Sequence, residues 1–373
     1  MDIHRLLIAS CVVAPLSWGF DPISASERSP SFYPLREPLL RLVLQRRAAD
    51  NCHRLVSIRG GDATPLVLLE GTLEECEQLF LDQLQKRLPN PNVNVPTVTL
   101  GGKQFWGDLF VHAGWRIQEN VFTSHCRLLD PRDIRRAWGT REQCHVAFEE
   151  IRIKRKIQPR SDHLVILLHG LLRSKDSMNK IAESLVAAGY DVANINYPST
   201  QRSITEHAER LKEIVESLWE YEKLSFVTSS LGGIVVRKFL TLESHWRDRI
   251  QLHRIVMLAP PSRGSVVAKT LKNNILFRII TGKSGAELTP QLVEEIPSPD
   301  CSFGIIAGGT GKKSGFAPFL DGDNDGLVLV ENTKLTGADD FLRIRAVHTF
   351  IMQNDNAINA TISFLERGRF SEE

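Results

Sequence analysis

The sequence predicts an α/β fold: a mostly parallel sheet with helices on both faces, preceded by a small α+β region. Three observations predict it. From residue 161 onward, short apolar runs alternate with helical segments to the end of the chain, the pattern of a parallel sheet built from right-handed crossovers. The first of these runs, His163 to Leu168 (HLVILL), is continuous and not alternating, as expected of a strand covered on both faces. Several runs end in polar turn residues, and functional groups in such sheets collect at the carboxyl ends of strands.

Composition sets the frame. The 373 residues suffice for one large or two medium domains, and 42% hydrophobic with 24% charged residues is ordinary for a globular protein. A net charge of +2 gives no reason to expect nucleic acid as a partner. No run of 18 apolar residues suggests a spanning helix.

At the N-terminus, residues 1–25 have the order of a secretory signal peptide. A basic start ends at Arg5, Leu6 to Leu16 is apolar, and small residues follow at Ser17, Gly19, Ser24 and Ala25. This predicts export, to a periplasm for example; the alternative is an N-terminal tail on a cytoplasmic protein. In residues 26–158, three prolines precede LLRLVLQRRAA, read as an amphipathic entry helix that packs on the next domain. Its alternative is a transient contact with a membrane surface. A weak internal repeat follows. Gly71-Thr72-x-Glu74-x-Cys76-x-x-x-Phe80 matches Gly139-Thr140-x-Glu142-x-Cys144-x-x-x-Phe148, and strand-like runs begin upstream at Cys52 and Cys126. Each copy reads as a strand then a helix, with Thr72 or Thr140 as N-cap and the following Glu favourable to the helix dipole. Cys52–Cys76 and Cys126–Cys144 are disulfide candidates in an exported protein, or small buried core residues in either compartment. His112, His125 and His145 are scattered and structural. Ile151 to Arg160 alternates apolar and basic residues and ends in proline; it reads as an edge strand or linker at a domain boundary.

Residues 159–373 form the second domain. After His163–Leu168 come His169-Gly170 and a helix with Met178, Ile181 and Leu185 on one face, stopped by Gly189. Tyr190 to Ile195 is the next strand. Ser203-x-x-Glu206 is a capping box for a helix bearing Leu211, Ile214, Val215 and Leu218. A strand ending at Val227 then leads through Thr228-Ser229-Ser230-Leu231-Gly232-Gly233 into an apolar helix. Strands follow at Ile255–Leu258, Phe303–Ala307 and Leu342–Ala346, and a last helix with Ile358, Ile362 and Leu365 closes at Gly368.

The turn at Ser230 has the form of the serine elbow, Gly-x-Ser-x-Gly between strand and helix, with Thr228 for the first glycine. Its spacing selects Ser230 over Ser229, which has Leu231 two places on. By itself the turn is also compatible with plain N-capping. Its partners make the difference. Asp325 lies in the loop Asp321-Gly-Asp323-Asn-Asp325-Gly326, and His348 directly follows the last strand. A serine hydroxyl needs an adjacent base, imidazole suits that role, and a carboxylate orients the imidazole. The chain order Ser, Asp, His is the one used by such sheets. Backbone N–H groups of Leu231, after the nucleophile, and Leu171, after the first buried strand, are the expected oxyanion donors.

LVILLHGLLRS, FVTSSLGGIVVR, LAPPSRGS, DNDGLVLVENT and AVHTFI together resemble the lipase and esterase branch of the α/β-hydrolase superfamily, in particular triacylglycerol-lipase-like proteins and membrane-lipid deacylases. The resemblance covers about 163 to 370. It implies an α/β-hydrolase sheet, a Ser230–His348–Asp325 triad, and hydrolysis of carboxylic esters, lipid acyl esters above all. Ser229 stands where the family often has His. No motif indicates a metal or organic cofactor, and the expected partner is a small-molecule ester or lipid.

Two other readings compete. Asp321-x-Asp323-x-Asp325-Gly326 also matches the start of an EF-hand calcium loop, but Asn332 stands where the loop needs Glu. The fold could also serve as a catalytically inactive binding module; such degeneration removes Ser, Asp or His, and all three remain. Asp323 is the reserve acid. His169 reads as structural, and His207 and His253 as solvated. Residues 266–300, with the apolar stretch Ile275 to Ile280, read as a lid over the nucleophile or an ordinary buried helix.

Overall fold

A computed structural model describes residues 21–22, 40–47, 52–59, 66–72, 75–76, 79, 97–98, 103–264, 284–285 and 287–370. All of the expected leader but Asp21–Pro22, and the apolar stretch of the expected lid, lie outside these residues.

Two antiparallel sheets come first. In one, β1 (Asp21–Pro22), β2 (Leu40–Arg47), β3 (Cys52–Arg59) and β4 (Leu66–Gly71) lie side by side in chain order. The expected helix over LLRLVLQRRAA is therefore a strand. Its leucines at 40, 42 and 44 repeat every second residue, and all eight residues of β2 pair with β3. Pairing with a neighbour decides between periods that a short apolar-basic run cannot separate.

The second sheet contains β5 (Thr97–Val98), β6 (Trp106–His112), β7 (Trp115–Asn120), β8 (Cys126–Leu129) and β9 (Ile134–Gly139), in the order β5-β9-β8-β7-β6. Helix α1 (Arg141–Arg155) follows and packs on β7, β8 and β9. The end of α1 occupies part of the stretch read as an edge strand or linker. Arg152 is buried and paired with Glu149 at 2.9 Å, and the helix ends on Lys156 in the left-handed conformation.

The repeat is larger than a strand and a helix. Each copy is a run of antiparallel strands that ends in the Gly-Thr motif. In the second copy Thr140 Oγ1 accepts the Gln143 N–H at 3.3 Å while Gln143 Oε1 accepts the Thr140 N–H at 2.8 Å. Thr72 and Glu75 exchange the same two bonds at 3.2 and 2.8 Å. The third residue of the turn thus closes the box, with Glu or Gln serving equally. It also explains the glycine: a Cβ on Gly71 would lie 2.5 Å from Glu75 Oε2, and one on Gly139 2.2 Å from Gln143 Oε1. Cys126 and Cys144 are buried free thiols, so Cys126–Cys144 is core and not a disulfide. Desolvation pushes the Cys126 thiol up to about 12 and raises that of Cys144 too. Together with Leu109, Phe110, Trp115, Ile117, Leu128 and Phe148 they form a core of their own.

The remaining chain is built on a six-stranded parallel sheet. Its strands are β10 (His163–Leu168), β11 (Asp191–Ile195), β12 (Lys223–Ser229), β13 (Gln251–Leu258), β14 (Ser302–Gly308) and β15 (Asp340–Ile344). They run in the order β11-β10-β12-β13-β14-β15, all parallel. Helices α2 (Asn179–Ala187), α3 (Ile204–Glu216), α4 (Leu231–Leu240), the short α5 (Pro290–Glu294) and α6 (Val330–Thr333), and α7 (Asp355–Arg367) complete it. The predicted capping box of α3 is present, with Glu206 N–H on Ser203 Oγ at 3.1 Å.

Alternate residues of each strand feed two cores. Ile166, Phe226, Ile255 and Ile305 join α3 and α4 on one face; Val165, Val227, Val256 and Ile306 join α2 and α7 on the other. Burial of each such side chain contributes about 1.5–3 kcal/mol. Both faces need apolar residues, which is why the strands read as continuous runs. The chain crosses from β11 over β10 to β12, so the loops after β10 and β12 face each other at the switch of strand order. The second antiparallel sheet docks on this domain, with β6 against α3 and β11.

Candidate active site

Ser230 sits between β12 and α4 at φ 53°, ψ −118°. A side chain rarely adopts this backbone region, and strain of this kind is held by its surroundings. Here the Ser230 N–H donates to Leu258 O at 2.8 Å, and its carbonyl accepts the Gly233 N–H at 3.0 Å. Gly232 lets α4 close on β10: a Cβ there would lie 2.5 Å from Leu168 O. Thr228, the departure from the usual glycine, is fully buried and fits beside Gly233.

His348 begins a short 3-10 segment, His348–Gln353, just beyond β15. Its N–H donates to Asp325 O at 2.9 Å, which fixes the start of the segment on the acid loop. Its Nδ1 lies 2.7 Å from Asp325 Oδ2 and its Nε2 2.9 Å from Ser230 Oγ. A carboxylate can only accept, so Nδ1 carries the proton and Nε2 accepts from the hydroxyl. Asp325 is buried, and its other oxygen accepts the Leu327 and Val328 N–H groups at 3.0 and 2.8 Å. Three residues spread over 119 positions are thus brought into one hydrogen-bonded row.

The reserve acid is elsewhere. Asp323 accepts the Thr310 and Gly311 N–H groups at 2.7 and 2.9 Å and shapes the loop after β14. Asp321 is exposed and pairs with Lys313 at 3.1 Å. The carboxylates of the EF-hand-like segment therefore face different partners. Among the described residues no group of three or more His, Cys, Asp or Glu side chains could hold a metal ion.

The loop after β10 is a tight turn. Arg173 N–H donates to Gly170 O at 3.3 Å, and Leu172 stands at φ 61°, as the third residue of a type II turn must. The Gly170 carbonyl also receives His169 Nδ1 at 2.8 Å. With that carbonyl held on one side, the N–H of the same peptide, that of Leu171, points the other way. Gly170 itself faces Ser230, since a Cβ there would lie 3.2 Å from Ser230 Cβ. Leu231 is the first residue of α4, where helix N–H groups have no intrahelical acceptor.

His169 is structural, as its place predicted. It is buried, stacks on Tyr197 at 4.3 Å, and takes the Tyr197 N–H on Nε2 at 3.4 Å. Desolvation holds its imidazole down at about 4, so it is neutral. His207 is a correction: it is buried against Tyr197 and not solvated, and burial holds it down at about 3. His253 is half-buried beside Arg254. His112 is buried in a pair with Glu220 at 2.9 Å. Sequence reasoning missed the segment Tyr197-Pro198-Ser199-Thr200, which receives the Leu172 N–H on Ser199 Oγ at 3.1 Å. The signal was its position at the carboxyl end of β11.

Residues 158–285 match the model of the family described as "Putative serine esterase (DUF676)". No curated protein matches the chain. Among solved structures it is similar to the mature lipase BlEst2 of Bacillus licheniformis, at 21% identity and TM-score 0.46 over 55% of this chain and 91% of that one. It is similar also to the metagenomic carboxyl esterase MGS0156, at 18% and 0.41 over 51% and 66%. A third is phospholipase PlaB of Legionella pneumophila, at 21% and 0.37 over 46% and 45%.

Proposed function

We propose that this carboxylic ester hydrolase, of the lipase and esterase branch of the α/β-hydrolases, cleaves lipid acyl esters through an acyl-enzyme on Ser230. The supporting observation is the row Ser230 Oγ, His348 Nε2, His348 Nδ1, Asp325 Oδ2 at 2.9 and 2.7 Å. Ser230 Oγ attacks the ester carbonyl as His348 Nε2 takes its proton. Asp325 stabilises the imidazolium and holds its orientation. The Leu171 and Leu231 N–H groups receive the oxyanion. Collapse expels the alcohol, protonated by His348. Water, deprotonated by the same imidazole, then attacks the acyl-enzyme and releases the acid.

The lipid part of the proposal is supported by the exposed residues on the loops that carry Leu171, Asp325 and His348. Leu172, Leu327 and Phe350 are exposed, and each lies within two residues of Leu171, Asp325 or His348. Exposed leucines and a phenylalanine on all three loops suit an acyl chain and a transient contact with a lipid surface better than a polar ester. A fluorophosphonate probe tests the nucleophile: wild type labels and Ser230→Ala does not, with hydrolysis falling about 10⁶-fold. Equal labelling of both proteins overturns the reading. A p-nitrophenyl ester series from acetate to palmitate tests the substrate class. Rising kcat/KM beyond butyrate is expected, and a steady fall overturns the lipid assignment.

A further inference from the structure

The second antiparallel sheet reaches the active site. Asp108, in β6, is bound to the residue after β11 in both directions: its N–H donates to Asn196 O at 2.8 Å, and its Oδ2 accepts the Asn196 N–H at 2.7 Å. Asn196 Nδ2 then donates to Lys103 O and Trp106 O at 2.8 and 2.7 Å. These bonds fix the turn Lys103–Phe105 over the Tyr197–Thr200 segment. From that turn the Gln104 amide spans two loops. Its Nε2 donates to Arg173 O at 2.6 Å, and its Oε1 accepts the Thr200 N–H at 3.1 Å. Ser199 Oγ lies 3.2 Å from Gln104 Nε2 and accepts the Leu172 N–H.

We propose that Gln104 is a positioning residue for ester hydrolysis, bracing the turn that presents the Leu171 N–H to the oxyanion. The proposal rests on the oxyanion role given to Leu171 above. Its physical basis is the left-handed Leu172. A leucine there is strained, where glycine would be at ease, and a strained turn keeps its shape only when neighbours over-determine it. The peptide N–H before Leu172 is held by Ser199, and the carbonyl of Arg173 by Gln104. Both bonds converge on one amide from outside the catalytic domain. Without it the turn relaxes toward ordinary dihedrals, and the neighbouring Leu171 N–H swings with it. Loss of an oxyanion donor costs about 10²- to 10³-fold in turnover; a donor present but misdirected costs less.

The test uses the full chain carrying Gln104→Glu, which keeps the acceptor for Thr200 but sets a carboxylate against the Arg173 carbonyl. Gln104→Met, neutral and of similar length, is the second variant and decides if the first does not fold. Competent sites are counted by fluorophosphonate titration. We expect kcat per competent site to fall about 10- to 100-fold with KM within about twofold, and a trifluoromethyl ketone, which forms a tetrahedral oxyanion, to lose affinity in parallel. Glu119→Gln is the control. It weakens pairs from the same sheet to Arg202 and Arg210, at 3.4 and 2.8 Å, without touching the turn, and turnover per site stays unchanged. Wild-type kcat and inhibitor affinity in the folded Gln104 variant, or an equal loss in Glu119→Gln, overturns the proposal. Failure of the triad itself reads out separately, as hydrolysis that survives Ser230→Ala.

Discussion

Two buried polar networks border the same parallel sheet, one at its β11 edge and one beyond the carboxyl end of the interior strand β12, and they are built to different ends. The network between β6, β7 and β11 is closed. Asp108 Oδ1 takes Gln118 Nε2 at 2.7 Å, Oδ2 takes the Asn196 N–H, and Gln118 Oε1 takes Arg127 Nε and Nη2 at 3.1 and 2.7 Å. The row at Ser230 is shorter and ends on a hydroxyl beside a turn whose Leu171 N–H has no partner among the described residues. A network whose members satisfy one another holds two bodies together. A row that stops at a hydroxyl, next to an unused donor, is the arrangement the proposed ester hydrolysis requires.

The difference can be broken by single substitutions. Asp325→Asn should lower kcat about 10⁴-fold, because the amide favours the wrong imidazole tautomer. It keeps an acceptor for Leu327 and Val328, so the melting temperature should change little; parallel loss of both would make Asp325 a structural acid. Asp108→Ala should do the reverse. It removes the acceptor of Asn196 and Gln118 and leaves Arg116, 3.8 Å away, without that carboxylate. The cost should be about 3 kcal/mol in urea unfolding, with chemistry per folded site reduced no further than in Gln104→Glu. An Asp108→Ala protein as stable as wild type would show the network to be ornamental.

Two buried groups, His169 and Asp108, are shifted in opposite directions. His169, at the start of the turn after β10, has its pKa lowered from 6.5 to about 4 by burial. A histidine depressed in the folded state binds fewer protons than in the unfolded chain. Its stability contribution is complete above about pH 6.5 and is lost as the pH falls toward 4, by ~3 kcal/mol in all. Asp108 is raised by desolvation first, with Arg116 opposing. Its contribution therefore grows as the pH falls through its folded value toward 3.8. Urea unfolding between pH 7 and 4 should show a net decline that is steeper in Asp108→Asn, where the compensating group is gone. A flat wild-type profile would exclude a neutral buried His169.

The helical and strand pattern around the parallel sheet was legible because each element obeys a local rule. His163–Leu168 is apolar throughout, Ser203 and Glu206 form the capping box, and Gly368 caps the last helix at φ 78°. The elbow and its partners were legible because the chemistry restricts residue type, spacing and chain order. The N-terminal half was harder. Leu40–Arg47 and Ile151–Arg155 each carry leucine or isoleucine mixed with basic residues, and which period they follow depends on what they meet: β3 in one case, the body of α1 in the other.

By itself the sequence determined a parallel sheet, a serine at its elbow and the Ser, Asp, His order, since these follow from local patterning and from what nucleophilic catalysis requires. Tertiary structure alone decided that Leu40–Arg47 is a strand, that His207 is buried, and that a glutamine more than 60 positions upstream reaches the turn beside Ser230. The reason is physical. Apolar periodicity is written along one segment of chain, whereas a polar side chain gains its meaning from a partner that only packing brings within 3 Å.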